Sequence, residues 1–489
     1  MDFETEKRRI AISDMGGRME RANRKPGIFE RIRSMDLTSG NLFWKLGLFA
    51  LPMALATILQ LLYTTVDLVT VHLWGGGENS ASAISGNGAL INLVVVMFSG
   101  LAIGANVAIG NAIGAKDLEH AEKVVHTSLL FALFSGIAVA IFGFFMTPIL
   151  LDLIQIEPAY RDEAVSYMQI YFVGLPLLML YNYASQIHRA MGDSSTPFLA
   201  LLFAGCVNLL ADFLFVYFLR ANVTGVAWAT VLSEGVSALV LLLSLGLRKH
   251  ALLRLRPKEL RIDRQTLGEI VKLGLPAGFQ GFFFALPNTF IQSALYVIGA
   301  GNVALQNGAI AANNINNYNY AFIEAISSST MAIIAQNYGA KKENNVRKAL
   351  WYGLAWGTIY CALYSLVIFV GYRPLLSLFV DGDNEVAIEA GKTRLWLIGF
   401  TYVLDMAMDV AGGAMKGIRR PLAPAIVTGV CCTLFRIAAI QGLILRVEAF
   451  QNVLWLYSVY PISWVLACAA NFTLLPILFK KAFPRAKEA

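Results

Sequence analysis

Lys45-Leu-Gly-Leu-Phe-Ala-Leu-Pro52-Met-Ala-Leu-Ala-Thr-Ile-Leu-Gln-Leu-Leu-Tyr63-Thr-Thr-Val-Asp67-Leu-Val-Thr-Val-His-Leu-Trp74 is the stretch whose reading decides the fold class. It is apolar and long enough to cross a bilayer core, which takes about 20 helical residues. Asp67 sits inside it. On insertion scales a carboxylate at that depth costs roughly 2.5–3.5 kcal/mol, so such a residue is either functional or paired with another helix. Tyr63, one turn earlier, shares its face of the helix. Pro52 removes a backbone hydrogen bond and lets the inner half bend.

The rest of the chain has the same character. Its 489 residues are 57% hydrophobic and 15% charged, with a mean hydropathy of +0.60, a balance found in polytopic membrane proteins. Cys206, Cys361, Cys431, Cys432 and Cys468 fall in apolar spans, without disulfide or metal spacing. His72, His120, His126, His188 and His250 form no metal motif, so neither a metal nor an organic cofactor is expected. Residues 1–40 are polar and basic with no apolar core segment, unlike a cleavable signal. Arg18–Arg33 reads as cytoplasmic tail, with a surface-lying basic helix as the alternative.

Hydropathy predicts an all-α protein of twelve transmembrane helices, near 46–74, 84–113, 124–150, 164–187, 197–219, 224–247, 269–299, 307–337, 349–372, 393–415, 421–445 and 451–479. With the N-terminus inside, only Arg161, Arg220, Arg373, Lys392, Arg394 and Arg446 of the 39 Lys and Arg fall outside, and Arg436 lies within a span. This asymmetry predicts that both termini are cytoplasmic. It also explains the net charge of +7 as an orientation signal, so no nucleic-acid partner is expected.

An internal repeat sets the architecture. Leu51-Pro52 recurs as Leu275-Pro276, Gly114-Ala115-Lys116 as Gly339-Ala340-Lys341, Gly174 as Gly399, and Ala190-Met191 with Pro197 as Ala414-Met415 with Pro421. Every match falls at an offset of 224 or 225. The predicted layout is a tail through residue 45, an N-lobe over 46–247, a cytoplasmic linker over 248–268, a C-lobe over 269–479 and a tail from 480. Parallel six-helix repeats of this kind place a transport site between the lobes.

Polar residues inside the spans mark candidate sites. Asp67, Asp212 and Thr230 fall at one depth, roughly 10 Å below the outer surface at about 1.5 Å per residue, with Asn208 one turn from Asp212. Two carboxylates meeting in a low dielectric do not both ionise cheaply, so one of them holds a proton near neutrality. A proton-coupled carrier needs that property. In the C-lobe, the repeat partner of Asp212 is Arg436. Asn313, Asn317, Tyr320 and Glu324 share one face of span 8, Asp405 and Asp409 lie a turn apart in span 10, and Glu234 follows Thr230 in span 6. These residues either line a wet cavity or tie helices together. Glu324 has no basic residue at i±4 (Tyr320 and Ser328), so it is expected to present negative charge to a cationic ligand, the rival being a pair with Arg436.

These residues carry a resemblance. Leu51-Pro52 with Tyr63-x-x-x-Asp67, Gly114-Ala115-Lys116, and Arg189-Ala-Met-Gly-Asp-Ser-Ser-Thr-Pro197 followed by Asn208-x-x-x-Asp212 and Gly225-Val-Ala-Trp-Ala-Thr230 resemble the multidrug and toxic compound extrusion family, most nearly its DinF-like branch. The resemblance implies a monomeric cell-membrane antiporter. It would export amphipathic, cationic drugs or metabolites against H⁺ or Na⁺. It implies further that Tyr63, Asp67, Asn208, Asp212 and Thr230 form the coupling site. Val71-His72-Leu73-Trp74 departs from the family's Val-Gly, and Phe284 stands where the NorM-like branch has a glutamate; Asp405 matches that branch's other acid. The alternative within the same superfamily is a lipid-linked oligosaccharide flippase, which would line its cavity with cations. An embedded enzyme is disfavoured: Gly391-Lys392-Thr393 lacks the upstream glycine of a P-loop, and G-x-S-x-G is absent.

Overall fold

The computed structural model describes residues 35–74, 78–154, 156–247, 253–299 and 301–484. The basic stretch Arg18–Arg33 lies outside them. The described chain is helical, with no strand among the described residues. The helices are α1 (Leu42–Trp74), α2 (Glu78–Gly114), α3 (Leu118–Leu153), α4 (Arg161–Ala190), α5 (Ser195–Phe218), α6 (Asn222–Leu247), α7 (Arg264–Ile298), α8 (Val303–Gly339), α9 (Glu343–Leu376), α10 (Glu385–Gly399), α11 (Tyr402–Gly417), α12 (Leu422–Ile444) and α13 (Val453–Ala482). Ten of them are long and apolar enough to span a membrane, and α10 with α11, bent by 44°, makes an eleventh span. The asparagine-rich α8 completes twelve as one unbroken helix of 37 residues.

The tenth predicted span is therefore two helices, and it begins earlier than its hydropathy suggests. Arg394, expected in an outer loop, lies inside α10 and is 4% exposed. Its guanidinium donates to Asn313 Oδ1 at 2.7 Å and sits over the Tyr457 ring. The charge count placed it outside because it stands at the very start of the hydropathy span, whereas the helix begins eight residues earlier, at Glu385.

Each lobe lends half a helix to the other. Leu42, Leu46, Phe49, Ala50 and Met53 of α1 pack in the C-lobe core, where Trp356 Nε1 donates to the Phe43 carbonyl at 2.8 Å. The outer half of α1 packs on α5 in the N-lobe. Ile270 and Leu273 of α7 pack in the N-lobe core, whereas Ile291, Ala294 and Leu295 pack in the C-lobe. Pro52 and Pro276 stand near the crossings.

The lobes meet at one end, the face that carries residue 35, the turns after α2 and α8, and residues 253–263. Gly100 and Gly104 of α2 lie backbone to backbone against Gly278 and Gly274 of α7. A Cβ on Gly114 would run into the Gln336 carbonyl, and one on Gly339 into the Asn111 carbonyl. The hydrogen bonds are reciprocal too. Asn111 Nδ2 reaches the Gly417 carbonyl at 3.4 Å, and its repeat partner Gln336 donates to the Ala190 carbonyl at 2.7 Å. The Gly-Ala-Lys motif is thus the pseudo-twofold seal of this face, with Lys116 and Lys341 at φ 62° and 57° in matching turns. These contacts all lie toward the linker face.

Candidate functional site

The N-lobe holds a buried carboxylate pair. Asp67 on α1 is 6% exposed, Asn208 and Asp212 on α5 are 2% and 1%, and Thr230 comes from α6. A π turn over Phe213–Phe218 begins just after Asp212. Asp212, Thr230 and Asn208 are the polar neighbours of the Asp67 carboxyl. Thr230 Oγ1 is 3.4 Å from Asp67 Oδ2, longer than its bond to the Val226 carbonyl at 3.0 Å. Asp67 Oδ1 and both Asp212 oxygens meet no donor. A carboxylate pair without donors in a low dielectric calls for a proton or a small cation between its oxygens.

Four of the five residues expected here thus converge. Tyr63 does something different. Its hydroxyl donates to the Leu201 carbonyl at 2.6 Å, and its ring fills the space a side chain on Gly205 would need. It pins α1 to α5 below the pair. Two more groups face the pair electrostatically, Glu234 one turn beyond Thr230 and Tyr167 of α4. Helical spacing pointed to Glu234, but nothing in the sequence pointed to Tyr167.

The Arg189–Pro197 motif is structural. Asp193, in the turn before α5, accepts from the Thr196 amide at 2.9 Å and from its hydroxyl at 2.6 Å, and lies 3.5 Å from His188 Nδ1. Burial acts to raise its pKa. The bonds to His188 and Thr196 outweigh that and hold the carboxyl below its ordinary value.

The C-lobe residues separate into two groups. Glu324 of α8 is exposed. Arg189 of the N-lobe and Lys416 of α11 bring positive charge toward it without forming a direct ion pair. Tyr320 donates to Asp409 Oδ2 at 3.2 Å, and Asp409 also faces Lys416. Asn317 is exposed, whereas Asn313 is committed to Arg394. Asp405 and Arg436, both 0% exposed, lie in the lobe interior and not on an open wall. Arg436 donates from Nε to Ser463 Oγ at 2.8 Å and is enclosed by Tyr460, Phe284 and Trp464 at 4.5, 5.6 and 5.8 Å. It does not pair with Glu324.

Two six-helix lobes, a cleft sealed at one end and a buried ionisable cluster in each lobe define a membrane transporter built on a parallel repeat. The chain belongs to the MatE family, whose model matches it twice, over residues 52–214 and 276–439. The probable multidrug resistance protein YoeA of Bacillus subtilis is 25% identical over 79% of this chain and 83% of its own length. The Thermotoga maritima probable multidrug resistance protein NorM is 26% identical, over 78% and 81%. An FAD transporter of Shewanella oneidensis is 26% identical, over 72% and 77%. Among solved structures, an outward-facing multidrug resistance MATE family transporter superposes with a TM-score of 0.81 at 21% identity, covering 91% of this chain and 98% of that one. A Pyrococcus furiosus transporter of the MOP superfamily gives 0.83 at 19% identity, covering 94% and 100%.

Proposed function

We propose that the protein is a secondary exporter of amphipathic small molecules, driven by H⁺ or Na⁺ entering at the Asp67–Asp212 pair. It works by alternating access as a monomer in the cell membrane, with the linker face cytoplasmic. One observation carries the reading: the two neighbouring buried carboxylates lack donors on three of their four oxygens. An exchangeable monovalent cation is the ligand that chemistry admits. Relatives named as multidrug resistance proteins support export over lipid-linked sugar flipping.

The cleft wall bears on substrate class. Glu324 offers a cationic substrate a carboxylate, but Lys416 and Arg189 balance it, so the proposal is amphipathic molecules, with cations favoured at Glu324 alone. Dye efflux from vesicles with pH and sodium gradients imposed separately tests the whole reading. Efflux that follows either gradient and ends with Asp67→Asn supports it; efflux that needs ATP and no ion gradient overturns it.

A further inference from the structure

Residues 35–41 lead into α1 and lie across the seam between the lobes at the linker face. Most of their bonds go to the C-lobe. Leu37 is 0% exposed within the C-lobe core. Asn337 of α8, itself 0% exposed, donates to the Leu37 carbonyl at 2.8 Å. At the start of α9, Lys342 Nζ and Asn345 Nδ2 donate to the Thr38 carbonyl at 2.9 and 3.1 Å. Asn345 also donates to Asn337 Oδ1 at 2.9 Å, which joins the two anchors. The segment holds its own shape as well. Asp36 Oδ1 accepts from the Thr38 amide and hydroxyl, each at 2.8 Å, and Lys45 reaches back to the Asp36 and Ser39 carbonyls.

One bond goes the other way. The Met35 amide donates at 3.2 Å to the carbonyl of Gly192, in the N-lobe turn between α4 and α5. Gly192 stands at φ 84°, a left-handed backbone that glycine adopts freely. A Cβ there would run into the Met35 carbonyl. The glycine is thus required twice, to make the turn and to let residue 35 lie against it. Beside this bond, Gln336 donates straight to the Ala190 carbonyl, while the next residue, Asn337, holds Leu37. The matching lead-in to α7, residues 253–263, is bonded instead to its own lobe, with the Arg256 amide on His126 Nε2 and the Arg261 carbonyl on the Thr127 hydroxyl.

We propose that residues 35–41 are a strap that clasps the lobes together at the linker face, fixed to the C-lobe and let go by the N-lobe at Gly192 when that face opens. The unequal fastening decides which end releases. Three side-chain donors and the buried Leu37 hold the C-lobe end, and one backbone bond holds the other. A single hydrogen bond, worth about 2- to 12-fold in an equilibrium, is weak enough to break and re-form in every cycle. The inference rests on alternating access between the lobes and not on the ion that drives it.

Spin labels at Lys123 on α3 and Lys348 on α9 of the full-length protein in detergent read the separation of the lobes at this face. Asparagine tolerates a left-handed backbone but brings the Cβ, so Gly192→Asn should raise the open-to-closed ratio about 2- to 12-fold. Lys342→Ala with Asn345→Ala slackens the opposite end and should raise it likewise. The two ends act in series, so joining all three substitutions should raise the ratio by less than the product of the separate effects. In the Gly192→Asn background, the thiol of Met35→Cys, a position 8% exposed, should react faster with a maleimide. Arg347→Ala, also on α9 but bonded to Glu343, should change neither readout. Unchanged distances in either folded variant, or effects that multiply in full, overturn the strap.

Discussion

Gly100→Ala adds a single methyl group where the backbones of α2 and α7 touch. The added Cβ would fall on the Cα and amide of Gly278 and within 2.8 Å of the Ala277 carbonyl carbon. All of these are backbone, so no side chain can swing away and α2 and α7 must separate. Overpacking of this kind costs about 1–3 kcal/mol, and the expectation is that it falls on the state in which α7 lies against α2. At 1.4 kcal/mol per tenfold, the equilibrium moves about 5- to 150-fold toward the state in which the linker face is open. Spin labels at Lys123 on α3 and Lys348 on α9 read this as a shift of the distance distribution toward longer values in detergent. Gly278→Ala should act alike, and the double variant should fall short of additivity, because the first separation makes room for the second methyl. Gly88→Ala on the same helix, with open space around it, should move nothing. Unchanged distances in a folded Gly100→Ala protein would refute the view that this glycine pair holds the sealed state.

Asp67→Asn, an amide that mimics the protonated carboxyl, should abolish gradient-driven efflux while membrane insertion stays normal, and Asp212→Asn should be similarly damaging; near-normal efflux by the first would sink the coupling assignment. Glu324→Gln should weaken competition by cationic dyes about tenfold, worth ~1.4 kcal/mol, and neutral ones less, and equal losses would remove Glu324 from cation recognition. Asp193 has a lowered folded pKa, so its contribution to stability is present above the unfolded value of about 3.9 and lost as pH falls through the folded one. Thermal midpoints of wild type and Asp193→Asn should therefore differ at neutral pH and converge in acid, and a gap that persists in acid would contradict this. A cysteine at Lys258, exposed beyond α6, should react with an impermeant maleimide only from the cytoplasmic side, and labelling of intact cells from outside would invert the topology.

The fold was legible because a bilayer imposes length and apolarity on every span, and because the 224–225 offset repeats through both halves. Asp67, Asn208, Asp212 and Thr230 were legible for the same reason: helical rise fixes depth, and polar residues at one depth tend to meet. Where a helix opens on charged residues, hydropathy starts the span late, as Glu385–Gly399 with its buried Arg394 shows. Helical spacing sees only its own helix, so it missed the charges that Arg189 and Lys416 bring to Glu324 from elsewhere. The Gly100-x-x-x-Gly104 and Gly274-x-x-x-Gly278 pairs were present as a packing signal, but no spacing rule says which helix a small-residue face will meet. Tyr167 gave no signal, since a tyrosine in a membrane helix is common and its neighbours come from other helices.

α1 spans 33 residues, about 50 Å at 1.5 Å per residue. One end is held by Trp356 in the C-lobe, and the other presents Asp67 to Asp212 in the N-lobe. Parting the lobes at the linker face must therefore pull on the helix that carries Asp67, the ligand proposed for the driving ion. Linkage then runs both ways: whatever factor the bound ion contributes to keeping the seal shut, the shut seal contributes to holding the ion. One helix with its two ends in different lobes ties the state of the seal to the carboxylate at its far end.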